Sequence, residues 1–199
     1  MSRRFELAKQ LDQLLSPETE LESTLIQAPE FRRGLLWGEP RFGHPEGLVA
    51  LHVQEVLRNI SLLPNLTTAE RNQLRLIALA HDTFKYAEDR SKPRGQRTHH
   101  GRLARIFMES YTSDSIILDV IETHDEAYYQ WLSFKRSTVH ASLDAFFNQL
   151  GDKLRIYYLF FKCDTQTGDK TQAPLRWFEK HLKGIDFIQI KPFWPWERV

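Results

Sequence analysis

The sequence predicts an all-α protein, a compact bundle of many helices. Three observations predict it. Apolar residues recur at helical spacings of three and four nearly throughout, and little alternates as a strand would. The 41% hydrophobic content, with 13 Phe, 6 Tyr and 5 Trp, is enough for a packed core. Isolated His and Asp residues sit in register with the apolar stripes, where a helix would carry them inward.

The elements follow in order. Residues 2–15, with Leu7, Leu11, Leu14 and Leu15, and residues 17–27 read as short amphipathic helices. Residues 28–46 contain Pro29, Gly34, Gly38, Pro40, Gly43 and Pro45 and read as a loop. A helix from about Gly47 to Leu62 is ended by Pro64 and Asn65. Thr67-Thr-Ala-Glu70 is a capping box: the Thr67 oxygen accepts from a free backbone N–H and Glu70 reaches back. It opens the helix Leu74-Arg-Leu-Ile-Ala-Leu-Ala80, which ends in the doublet His81-Asp82. Residues 88–98 form a polar loop, and Thr98 is placed to cap a helix running to about Ser110. Ser113-Asp114 starts another through His124, and Ser137 one to about Leu150. Gly151-Asp152 then punctuates before a helix to Asp164, and a last helix follows Pro174.

The bulk properties exclude several functions. The 199 residues suit one domain, with a motif-bearing core of about 44–170. A net charge of +1 gives no overall field for nucleic acid or membrane surfaces. The single Cys163 permits no intramolecular disulfide and suits a reducing cytoplasm. Met1-Ser-Arg-Arg-Phe-Glu lacks the apolar core of a signal peptide, and no apolar run reaches the roughly 20 residues of a membrane span. The expectation is a soluble cytoplasmic protein.

The chemistry-bearing residues share the stripes. His52 lies with Val49, Val53, Val56 and Ile60; His81 with Leu74, Ile77 and Ala78. His100 precedes Leu103, Ala104 and Phe107; His124 lines up with Ile117, Val120 and Ile121; Asp164 shares a face with Tyr157, Phe160 and Phe161. A single histidine on an apolar stripe is more often a hydrogen-bonded core residue than a ligand. His44, His99, His140 and His181 compete as further candidates. Four imidazoles and two carboxylates together are costly to bury unless something compensates them, and a divalent metal compensates all six. The set suffices for two metals bridged by one carboxylate.

The order His52, His81-Asp82, His100, His124, Asp164 resembles the HD superfamily of metal-dependent phosphohydrolases. His44-Pro-Glu-Gly47 followed by His52 is similar to the opening of the HD domain of bacterial CCA-adding enzymes. His81-Asp-Thr-Phe-Lys85 resembles the His-Asp-x-x-Lys form of HD-GYP proteins. The resemblance implies that His52, His81, Asp82 and Asp164 hold a first metal, that Asp82 bridges, and that His100 and His124 complete a second site. His99 competes with His100, which is preferred because the small Ala104 follows it. The likeness also has limits. Asp125-Glu126-Ala127-Tyr128 stands where the Gly-Tyr-Pro signature would be, there is no nucleotidyltransferase domain, and Phe84-Lys85 replaces the carboxylate pair of alarmone hydrolases.

The function this implies is hydrolysis of a phosphate ester of a nucleotide or other small metabolite. One or two ions of Mn, Fe, Co, Ni, Zn or Mg would activate the attacking water. Asp82 and Lys85 are the catalytic candidates, and Lys85, Arg90, Arg94 and Arg97 the anion-binding ones. The plainer alternatives are a lysine whose stem covers apolar surface and a solvated charged loop balanced by Glu88 and Asp89. Asp125, Glu126 and Glu46 are candidates for orienting ligands or for surface and capping roles. Tyr128, Tyr129 and Trp131 suit either stacking on a substrate or core packing, and Phe193-Trp-Pro-Trp196 reads as a docked tail. Two other classes stay open: a di-iron oxygenase with the same six ligands, and a non-catalytic metal- or nucleotide-binding domain. The expected partner is a small phosphorylated substrate, with homo-oligomerisation open, no membrane, and nucleic acid disfavoured.

Overall fold

The computed structural model describes residues 3–89, 91, 99–136, 143–182 and 184–191. Arg90, Arg94, Arg97, Thr98, Ser137, His140 and the Phe193–Trp196 tail lie outside the described residues. The fold is all-α. In chain order the helices are α1 (Arg3–Lys9), α2 (Leu11–Leu15), α3 (Glu20–Gln27), α4 (Pro29–Leu35), α5 (Val49–Ser61), α6 (Thr68–Ala80), α7 (His100–Met108), α8 (Ser115–Thr123), α9 (Glu126–Arg136), α10 (Leu143–Leu150), α11 (Leu154–Thr165) and α12 (Ala173–His181). The nearest approach to strand pairing among the described residues is an isolated bridge between Arg41 and His44.

The core is the mutual packing of α5, α6, α8 and α11, with α7 laid on α8 and α2 on α5. Val53, Val56, Ile60, Leu74, Ile77, Val120, Ile121, Leu159 and Phe160 are fully enclosed there. The Thr67 capping box forms as its sequence dictates, with Thr67 Oγ1 accepting from the Glu70 N–H and Glu70 Oε2 accepting from the Thr67 N–H. Asp114 caps α8 by accepting from the N–H groups of Ile116 and Ile117.

Two expectations need correction, and one helix was not expected. Of the 2–15 segment, the described residues form two helices, Arg3–Lys9 and Leu11–Leu15, because Gln10 leaves helical geometry, and Ser16 ends the second in the left-handed region at φ 46°. The 28–46 segment is not loop throughout. Pro29 opens α4 at a first-turn position where its missing N–H costs nothing. Gly34 is required by contact, since a Cβ there would lie 1.7 Å from the Thr83 carbonyl oxygen. Residues 126–136 form a helix of their own, hidden in the sequence because their aromatics do not make one stripe; Ala127 is the residue α9 buries.

The N-terminal helices are anchored by a buried ion pair. Arg75 on α6 donates to both carboxylate oxygens of Glu22 on α3, at 2.9 and 2.8 Å, and to the Ser16 carbonyl at 2.9 Å. Both side chains are almost fully enclosed, so removing Arg75 would leave the Glu22 carboxylate buried without its cation, whereas Arg75 also reaches Glu18 at 3.0 Å.

Gly34 bears on function because Thr83 directly follows Asp82. Gly34→Ala is expected to push α4 off this turn and destabilise the fold by about 1–3 kcal/mol, the usual cost of overpacking. Thermal unfolding should show this as a drop of roughly 2–12 °C. An unchanged midpoint would contradict the close approach.

Candidate metal centre

The helices deliver their ligand-type side chains from their ends more than from their middles. His81 is the C-cap residue of α6 and His124 that of α8, His100 is the first residue of α7, and Asp164 lies in the last turn of α11. Only His52 comes from within a helix, the first turn of α5. Three helix C-termini therefore meet at one point, and their partial negative charge favours a cation there.

The helix ends also fix the rings. The last carbonyls of a helix lack intrahelical partners. His81 Nδ1 donates to the Ala78 carbonyl at 2.9 Å, and His124 Nδ1 donates to the Ile121 carbonyl at 2.8 Å. A carbonyl can only accept, so each Nδ1 bears a hydrogen and each ring turns its Nε2 inward, free to coordinate when the ring is neutral. Glu88 does the same for His100, its Oε1 lying 3.2 Å from Nδ1. Thr167 Oγ1 gives its proton to the Asp164 carbonyl and stands 3.4 Å from His52 Nδ1, from which it can only accept.

The consequence is two facing pairs. His52 Nε2 and His81 Nε2 are 3.3 Å apart; His100 Nε2 and His124 Nε2 are 3.2 Å apart. Nitrogens about 2.0–2.1 Å from a shared cation would stand at roughly this separation. Asp82 joins the pairs. Its Oδ2 lies 3.8 and 3.5 Å from the nitrogens of His52 and His81, and its Oδ1 lies 3.6 and 3.5 Å from those of His100 and His124. Asp164 Oδ1 completes the first group at 2.9 Å from His52 and 3.7 Å from His81. Within each of the sets His52–His81–Asp164 and Asp82–His100–His124, the donor atoms lie within 4.8 Å of one another, so each can hold an ion. Hence six residues predicted from sequence converge, with one carboxylate oxygen turned to each group.

His99 is placed differently from His100. It accepts from the Gly101 N–H at the start of α7, and its Nε2 stands 3.7 Å from Glu88 and 3.8 Å from Asp125. Close packing of α7 on α8 brings His100 to His124: a Cβ at Gly101 would meet the Glu122 carbonyl oxygen at 2.8 Å, and Ala104 is fully buried. Asp125 stands nearer than an orienting role requires, 3.5 Å from His100 Nε2 and 3.7 Å from His124 Nε2, so its carboxylate is within reach of a second ion.

The scaffold is tied down from behind. Asn59 of α5 donates to the carbonyls of Cys163 and Gln166, closing the end of α11 beside Asp164, and Glu55 accepts from the Gly168 N–H. The buried Tyr157 hydroxyl contacts the carbonyls of Thr123 and His124 and accepts from the Ala127 N–H, fixing the turn after α8. Phe160 forms an apolar floor, its ring 5.1 Å from that of His81.

Electrostatics follow from this enclosure. Burial pushes His81 down to about 3, so its ring stays neutral and available as a ligand. Burial alone would raise Asp82 and Asp164. Lys85 and the nearby imidazoles together outweigh it for Asp82, and Lys170 with His52 and His81 for Asp164, so each stays well below the ordinary carboxylate range. Burial opposes the charge on Lys85 too, but Asp82, Asp125 and Asp164 raise it, so Lys85 remains an ammonium.

A cleft of about 430 Å³ opens over the centre, lined by Arg41, Lys85 and Lys170 with Tyr128, Tyr129 and Phe42. Tyr128 and Tyr129 are partly exposed at its wall rather than in the core, and Phe42 stands 85% exposed at its lip. The sequence reading did not single out Lys170, and it took Glu88 only as an offsetting charge. Both lie in turns, where no periodic pattern marks a residue. No protein-family model, curated protein or solved structure matches the chain.

Glu88→Ala removes the acceptor that orients His100. Metal affinity, measured by calorimetry with Mn²⁺, is expected to fall about 10–100-fold with helicity retained. Unchanged affinity would show that His100 needs no such support.

Proposed function

We propose that the protein is a metal-dependent hydrolase of phosphate esters, acting on a nucleotide or another small phosphorylated metabolite. The observation that carries this reading is Asp82, which offers one oxygen to each facing imidazole pair beneath a cleft lined by Arg41, Lys85 and Lys170. The order of these residues along the chain resembles the HD superfamily, and the reading draws on that likeness as well.

The donor set of four imidazole nitrogens with carboxylate oxygens fits Mn, Fe, Co, Ni or Zn better than a magnesium site built on water and carboxylate. Two such ions would supply an activated water and neutralise charge on the phosphoryl oxygens. The chain's own contribution is positioning. Helix-end hydrogen bonds fix the tautomer and turn Nε2 inward; burial keeps His81 neutral, whereas Asp125 and Asp82 outweigh burial at His124 and raise it, so a cation binding there displaces a proton. Asp82 keeps the two halves in register. Lys85, charged and 14% exposed, faces the cleft where it can hold a phosphoryl oxygen. Its raised pKa suits an electrostatic role or proton donation, and disfavours service as a base. Phe160 and the surrounding core keep the floor dry, which strengthens each of these interactions.

Purified protein is expected to contain close to two equivalents of transition metal by elemental analysis. It should hydrolyse a phosphoester panel, p-nitrophenyl phosphate included, when Mn, Co, Ni, Mg or Fe is supplied in turn. His81→Ala and Asp82→Ala should lose both metal and turnover while keeping their helicity. Wild-type turnover in either variant would overturn the reading. Substrate-dependent oxygen uptake by a two-iron form would replace it with an oxygenase.

A further inference from the structure

Lys170 follows α11 on a turn held to two other parts of the chain. The Gly168 N–H donates to Glu55, and Asp169 Oδ1 accepts from the Gly43 N–H. The Lys170 ammonium is thereby set 2.9 Å from Asp164 Oδ1 and 3.0 Å from the Asp164 carbonyl. Across the cleft Lys85 is paired with Asp82 Oδ2. Each of the two ligand carboxylates therefore carries one lysine, both lysines line the same cleft, and Arg41 stands at its edge. With Asp125 facing Lys85 as well, the three carboxylates of the cleft are balanced by Lys85, Lys170 and Arg41.

We propose that Lys170, together with Lys85, forms an anion clamp that metal binding switches on, and that it selects the terminal phosphoryl group of a phosphomonoester. The proposal rests on the hydrolase reading for the place where substrate binds. A carboxylate that coordinates a divalent ion has less charge to share with its lysine, and the lysine then faces a strongly positive centre. Like charges at such range repel unless an anion enters between them. A doubly charged monoester phosphate relieves that excess better than a singly charged diester. A lysine ammonium is a compact point charge on a flexible stem, so a small movement suffices to turn it from Asp164 to a phosphoryl oxygen. The aromatic lip of Phe42 and Tyr128 leaves room for the organic part of such a substrate.

The opposing possibility is that Lys170 merely props Asp164, and the two roles differ in sign. Calorimetry with Mn²⁺ and then inorganic phosphate, on the wild type, Lys170→Met and Lys170→Arg, separates them. Phosphate is expected to bind the Mn-loaded wild type and not the metal-free protein. Lys170→Met should weaken phosphate about 10–100-fold, the size of a lost charge-assisted hydrogen bond, while leaving Mn²⁺ affinity equal or higher. Lys170→Arg should restore most phosphate binding. Lys170→Gln gives the same reading should Lys170→Met fail to fold, with circular dichroism as the check. Unchanged phosphate affinity in Lys170→Met, or Mn²⁺ affinity falling with it, overturns the clamp. A wild type that hydrolyses monoesters while Lys170→Met binds phosphate normally loses the clamp and keeps the hydrolase. Lys170-dependent phosphate binding without turnover of any ester keeps the clamp and loses the hydrolase.

Discussion

Buried ring nitrogens that face each other at close range are the constraint on which this structure turns. His100 and His124 both commit their Nδ1 hydrogens to fixed acceptors, which leaves two Nε2 atoms 3.2 Å apart. His52 and His81 repeat the pattern at 3.3 Å. Without positive charge between them such pairs repel; with a cation between them the same geometry becomes coordination. Burial raises the stakes, because water cannot screen the contact. Much of the bundle can be understood as the means of holding these four rings where they would otherwise not stay.

Helix ends do most of that work. Backbone carbonyls left over at the C-termini of α6 and α8 choose the tautomer of His81 and His124, so ordinary helix termination supplies part of the site's chemistry. The Asn59 and Tyr157 side chains then lock the neighbouring turns from within the core. Gly34 lets α4 press directly on the turn after Asp82, and Gly101 lets α7 lie close on α8. Stability and site geometry are thus held by the same contacts, and a change that loosens packing at either glycine is also a change in the centre.

The helical class, the capping box at Thr67 and the inward placement of His52 and Asp164 were legible in the sequence, because each depends on local periodicity or on a spacing of a few residues. His81, His124 and His100 were also legible as ligand types, but their station at helix ends was not, since apolar stripes continue up to the terminal residue without marking it. The helix from Pro29 was masked by proline and glycine, which a short helix tolerates at its first turn and at a tight contact. Glu88, Asp125 and Lys170 reach the site from turns. Their roles depend on where distant segments meet, over separations such as that between His52 and Asp164, and no local pattern encodes that meeting.

The most direct test is a crystal structure of the protein soaked in Mn²⁺ or Zn²⁺, with anomalous scattering used to find the ions. Two peaks are expected roughly 3.5–4 Å apart, bridged by the two oxygens of Asp82. One should be bound by His52, His81 and Asp164, the other by His100 and His124. Ions found only at surface carboxylates, with the four imidazoles uncoordinated, would contradict this arrangement.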